Sequence, residues 1–145
     1  KEKLKELASK EKHIIFIDRD IVFNDYLLHS IPRDRSALVF DNRPMNRSEL
    51  CGLTQDDKVL RLAYGLDDKN KNVYIFSHIF AFGGKELKLL REILESPQYK
   101  NFDLFEIANL IIDREGEFEV AFTKKSKALE ITCPSDLKAV KRLML

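Results

Sequence analysis

Two aspartates separated by one residue, Asp18 and Asp20, stand directly behind the apolar run His13-Ile14-Ile15-Phe16-Ile17. Carboxylates on alternate residues are hard oxygen donors, and that donor type suits Mg²⁺. The run in front of them has no polar alternation, which reads as a strand buried on both faces. Such strands belong to α/β sheets, whose ligand sites lie outside the carboxyl ends of the strands. The plainer reading of Asp18-Arg19-Asp20 is a strand running into a loop of solvated acids. The remainder of the chain decides between the two.

Composition narrows the classes. The 145 residues are one domain's worth of chain, read as a single domain over residues 1–145. With 44% hydrophobic and 34% charged residues the balance is that of an ordinary globular protein. Lys and Arg number 25 against 24 Asp and Glu, so no overall field recruits nucleic acid or an anionic membrane. Cys51 and Cys133 are far apart and lack metal-ligand spacing, which argues against a disulfide scaffold and a zinc site. That usage implies a reducing, cytoplasmic setting. No apolar run has the length of a membrane span and no secretory leader pattern is visible, so no membrane partner is expected. The first residue is Lys rather than Met, so a longer parent chain is also expected.

The elements that must position the acids follow from periodicity. Residues 1–12 read as a helix with Leu4, Leu7 and Ala8 on one face. A short helix capped by Asn24 or Asp25 runs through Ser30, with Leu27, Leu28 and Ile31 inward. Residues 36–40 form a second buried strand, ending in the polar pair Asp41-Asn42, and residues 43–49 read as a loop. Residues 50–53 and 59–64 flank a polar turn, as a hairpin does. Residues 73–82 are the longest strand-like run, and His78 within it reads as a buried, hydrogen-bonded histidine rather than a catalytic base. Two amphipathic helices follow, at 85–94 and 102–112. A half-exposed strand at 118–122, a basic turn at 124–127 and a short strand at 128–131 come next. A closing helix begins at Pro134, with Leu137, Val140 and residues 143–145 inward. The expected class is mixed α/β, a largely parallel sheet with antiparallel additions and flanking helices.

Three stretches share an order and spacing with a known group. They are the strand and helix around Asp18-Arg19-Asp20, the strand ending Asp41-Asn42 followed by the hairpin and the 73–94 strand–helix unit, and the closing Glu130-Ile131-Thr132-Cys133-Pro134-Ser135-Asp136-Leu137. Together they resemble the later two-thirds of nucleotidyltransferases of the glycosyltransferase-A type, the cytidylyltransferases of small phosphorylated alcohols above all. The resemblance implies transfer of a nucleotidyl group, with Mg²⁺, from CTP or another nucleoside triphosphate to a small phosphorylated alcohol or sugar phosphate. It implies that Asp20 holds the metal, that Asp18 assists, and that Asp41 and Asn42 touch the acceptor. The group's second metal-binding aspartate falls on Thr132 here, and Glu130, two residues earlier on the same side of a strand, supplies the alternative charge. The group's glycine-rich triphosphate loop has no counterpart among the five glycines. The implied state is a partial fold completed by further chain, by a second copy or by a partner covering the amino-terminal side.

Two other readings stand beside it. One is a binding or regulatory module that keeps the fold without the chemistry, which Thr132 and the absent loop favour. The other is a haloacid-dehalogenase-type phosphatase, with Asp18 as nucleophile, Asp20 as general acid, Ser77 ending the second motif and Lys85 as its lysine. Its later acidic strand would have to be 110–113, a segment with helical periodicity.

Overall fold

The computed structural model describes residues 1–43, 48–67, 69, 72–123 and 128–143. The expected basic turn at 124–127, most of the 43–49 loop and residues 144–145 lie outside them, as does the side chain of residue 143. In chain order the elements are α1 (Glu2–Lys10), β1 (His13–Ile17), β2 (Ile21–Phe23), α2 (Tyr26–Ser30), β3 (Ala37–Asp41), β4 (Leu50–Gln55), β5 (Lys58–Tyr64), β6 (Val73–Gly83), α3 (Gly84–Glu95), α4 (Leu104–Asp113), β7 (Glu119–Phe122), β8 (Ala128–Glu130) and α5 (Leu137–Leu143).

The β-branched and aromatic run of β6 is the hub. One of its edges carries β3; the other carries β1 along Ile79–Gly83 and β4 along Val73–Ile75. β3 then pairs with β7, and Glu119 of β7 meets Lys58 of β5, which returns to β4 as a hairpin. A separate two-stranded sheet joins β2 to β8. The mixed α/β class holds, but the largely parallel sheet does not: among the described pairings only β3 with β7 is parallel. The apolar run of β1 is covered on both faces, with Ile14 and Phe16 in one hydrophobic cluster and Ile15 and Ile17 against another. Covering both faces requires layers above and below, and does not require parallel neighbours. That is why the run misled.

The larger cluster lies under α1, α3 and α4, where Leu87, Leu90, Ile93, Ile107 and Ile111 meet Leu38, Phe40, Phe76, Phe80 and Phe82. The smaller one packs Ile21, Leu27 and Ile31 against Val39, Ile79 and Ala81. Alternation along β3 sorts Leu38 and Phe40 to the first and Ala37 and Val39 to the second, the period-two rule of a strand. The hairpin turn is tighter than expected: Asp56 and Asp57 both have positive φ (50° and 60°), the two-residue turn that matches strand twist. At Gly52 an added Cβ would come within 2.3 Å of the Phe40 ring, so the glycine is what lets β4 approach the core.

Two inward expectations are corrected. Leu28 is 36% exposed and Leu137 is half exposed, because α2 has five residues and α5 seven, and neither buries a full stripe.

Candidate functional site

β1 stops at Ile17, but Asp18 extends its pairing by one bond, donating its N–H to the carbonyl of His78 at 3.2 Å. The N–H of Ile21 then closes on the carbonyl of Asp18 at 3.1 Å, reversing the chain into β2. β2 runs beside β8 with Ile21 opposite Glu130, and the N–H of Ile131 donates to the carbonyl of Asp20 at 2.8 Å. The Asp-Arg-Asp turn and the closing motif, more than a hundred residues apart in sequence, are thus neighbours through main-chain bonds.

A cavity of about 720 Å³ opens beside this junction. Ile21, Glu130, Thr132 and Asp136 form one wall, Ser77 and His78 of β6 another, and Arg43 and Glu49 a third. A second cavity of about 390 Å³, toward α1 and α4, is lined by Phe16, Asp18, Phe80, Leu104 and Phe105. Tyr64 and His78 line both.

The predicted residues divide between these places. Asp18 faces the second cavity: one carboxylate oxygen accepts the N–H of Arg19 at 2.8 Å and the other lies 4.0 Å from His78 Nδ1. Asp20 lines neither cavity; its side chain is more than half exposed and lies 3.5 Å from the Arg19 guanidinium, a contact of little energetic weight at that exposure. Asp41 is engaged by Arg43, which donates its N–H at 3.0 Å and its Nε at 3.0 Å and reaches Glu49 at 3.3 Å with Nη2. Asn42 is exposed beside it. Glu130 is exposed on the wall of the larger cavity. The structure therefore joins Asp20 to Glu130 through adjacent backbone, and parts both from Asp18.

Three residues of this region escaped sequence reasoning. Asp136 accepts the N–H of Thr132 at 2.9 Å, the Thr132 hydroxyl at 3.1 Å and the N–H of Cys133 at 3.0 Å. Those donors, the Thr132 amide foremost, hold its carboxyl below the usual carboxylate range. Its position, three residues after Cys133, was the legible signal of a cap. Arg43 had no signal, since it lies in a stretch read as an aperiodic loop. His78 is corrected outright: its side chain is about a quarter exposed, and neither ring nitrogen is hydrogen-bonded among the described residues. Lys85, whose role a phosphatase reading needs, instead donates to the Glu115 carbonyl at 2.7 Å, and residues 110–113 lie in α4.

Among the described residues no three acidic, His or Cys side chains converge as a metal cage. Mg²⁺ seldom uses such a cage; it keeps one or two carboxylates and takes its remaining oxygens from substrate phosphates and water. Asp20, in the turn before β2, and Glu130, on β8 opposite Ile21, are both exposed carboxylates, the donor type that such a sparser set uses.

No family model and no curated protein sequence matches the chain. Solved structures do. The chain is similar to the inositol-1-phosphate CTP transferase from T. maritima, with TM-score 0.73 and 16% identity over 97% of this chain and 58% of that one. It is similar to the CTP:phosphocholine cytidylyltransferase from Streptococcus pneumoniae, with TM-score 0.68 and 16% identity over 98% of this chain and 62% of that one. A nucleoside-diphosphate-sugar pyrophosphorylase from Vibrio cholerae follows with TM-score 0.56 and 16% identity, covering 96% of this chain and 61% of that one. The chain has a nucleotidyltransferase fold. It spans about three-fifths of the length of those enzymes. No described helix is long and apolar enough to cross a membrane.

Proposed function

We propose that this chain carries the acceptor side of a nucleotidyl transfer in which a small phosphorylated alcohol is activated by CTP. A phosphate oxygen of the acceptor attacks the α-phosphorus of the triphosphate, a new P–O bond forms and pyrophosphate leaves. The observation that carries this reading is the bond from Ile131 to Asp20, which ties the Asp-Arg-Asp turn to the closing motif whose Glu130, Thr132 and Asp136 line the 720 Å³ cavity. Mg²⁺, bound with the triphosphate, supplies charge neutralisation at the transferring phosphorus. Asp20 and Glu130 are the residues to hold it, with Thr132 in the position of a weaker oxygen donor. Asp18 orients the wall between the cavities, and Asp41, with Asn42 beside it, reaches the larger cavity only through Arg43, which lines it.

Among the described residues the wall carries the carboxylates of Glu49, Glu130 and Asp136 against the guanidinium of Arg43. That balance suits an acceptor whose alcohol bears an ammonium group, with the phosphoryl end directed to the β6 side. The outer edge of β1 has no strand beside it among the described residues. An open edge recruits pairing, and we assign it as the seat of a second copy or a partner chain that contributes the triphosphate-binding part.

Thermal denaturation with CTP and Mg²⁺ tests the reading: a rise in midpoint that needs both, followed by pyrophosphate release when phosphocholine is added, supports it. A rise without pyrophosphate release supports instead the silent binding module, which the replacement of an acid by Thr132 and the commitment of Asp136 to its own loop favour. No response to nucleotide or acceptor removes both.

A further inference from the structure

His78 has φ +55° in the middle of β6, a left-handed conformation that a histidine adopts only at a cost in energy. The reason lies in the register. Leu38 of β3 faces Phe80 and Phe40 faces Phe76, so two residues on β3 span four on β6. The two extra residues form a bulge, a device that re-aims a side chain, and the even count keeps Phe76 and Phe80 on one face. The bulge sits where β6 exchanges one edge neighbour for another, β1 ending opposite Ile79 and β4 beginning opposite Ile75. His78 is therefore held in the gap between β1 and β4, where its ring lines both cavities.

The ring is held on two sides. Phe76 lies 5.4 Å away, centroid to centroid, and the Asp18 carboxylate is 4.0 Å from Nδ1. Nε2 has no hydrogen-bond partner among the described residues. On the wall of the larger cavity the guanidinium of Arg43 is already paired with Asp41 and Glu49. An anionic ligand group entering that cavity meets carboxylates on one side and, on the β6 side, the His78 side chain.

We propose that His78 binds the phosphoryl group of the acceptor through Nε2, with Asp18 as the positioning residue that faces Nδ1. The inference rests on the acceptor reading above and adds to it the side chain that recognises the phosphoryl end. Its backbone strain is kept because glycine, which suits φ +55°, would remove the ring.

The test uses the 145-residue chain, with inorganic phosphate, phosphocholine and choline as probes. Ring ¹⁵N resonances distinguish His78 from His13 and His29. The expected result is a saturable shift of His78 Nε2 with phosphate and phosphocholine, none with choline, and none at the other two histidines. His78→Gly is expected to melt no lower than the parent while its phosphocholine affinity falls at least about tenfold, the weight of one hydrogen bond to a charged group. His78→Asn, which tolerates the same backbone and keeps a donor, should fall between. An unmoved His78 ring, or a His78→Gly chain that binds phosphocholine as the parent does, overturns the proposal. So does a His78→Gly chain that loses binding only because it unfolds. Binding of CTP with Mg²⁺ is measured separately, so its failure tells against the transferase reading and not against the phosphoryl contact.

Discussion

Ile131 donates its main-chain N–H to the carbonyl of Asp20 at 2.8 Å, and through that one bond the two motifs most suggestive of chemistry become a single place. That bond uses only the Asp20 carbonyl, and the Asp20 side chain is more than half exposed beside the Arg19 guanidinium. Asp20→Asn should therefore abolish the stabilisation by CTP with Mg²⁺ and leave the unmodified melting point within the roughly 0.5 kcal/mol typical of surface changes. Paired thermal scans with and without CTP and Mg²⁺ check it; a mutant that unfolds would make Asp20 structural.

Asp136 should report on the order of the closing motif. Its folded pKa is depressed by the Thr132 and Cys133 donors, so its contribution is fully present above the ordinary carboxylate value, about 3.9, and is lost as pH falls through the lower folded value. Amide resonances of Thr132 and Cys133 should hold steady from neutral pH and shift together only below about pH 4. Asp136→Asn should show those shifted positions at all pH values.

Gly52 is kept small by the Phe40 ring. Gly52→Ala should cost about 1–3 kcal/mol in urea unfolding, since the Phe40 ring, fully buried, cannot step aside. Adding Phe40→Leu should make the pair less than additive, because the second change removes the atom that clashes.

Asn109 of α4 acts as a missing strand partner. Its Oδ1 accepts the Leu62 N–H at 2.8 Å while its Nδ2 donates to the Leu62 carbonyl at 2.8 Å. Asn109→Leu strips both, and should lower stability by about 1–3 kcal/mol for each group left without a partner. Hydrogen exchange should quicken selectively at the Leu62 amide.

Much of the architecture was legible because it is local. The apolar runs of β1, β3 and β6 and the helical stripes of α3 and α4 lie where periodicity places them, since burying a face is a property of neighbouring residues. The direction of the strands was not legible. β6 serves three partners from different parts of the chain, and no residue of β1 states that its neighbour runs the other way.

The candidate site divides along the same line. Sequence alone determined that a buried strand runs into Asp18 and Asp20 and that a closing helix follows from Pro134, because spacing and side-chain chemistry are carried by the chain itself. Only the tertiary structure decided that the Asp20 backbone meets the closing motif, that Asp41 is held by Arg43, and that His78 stands in a strained bulge between two cavities. Those outcomes depend on which strands pair and in what register, and pairing is settled by the packing of the whole sheet rather than by any segment of it.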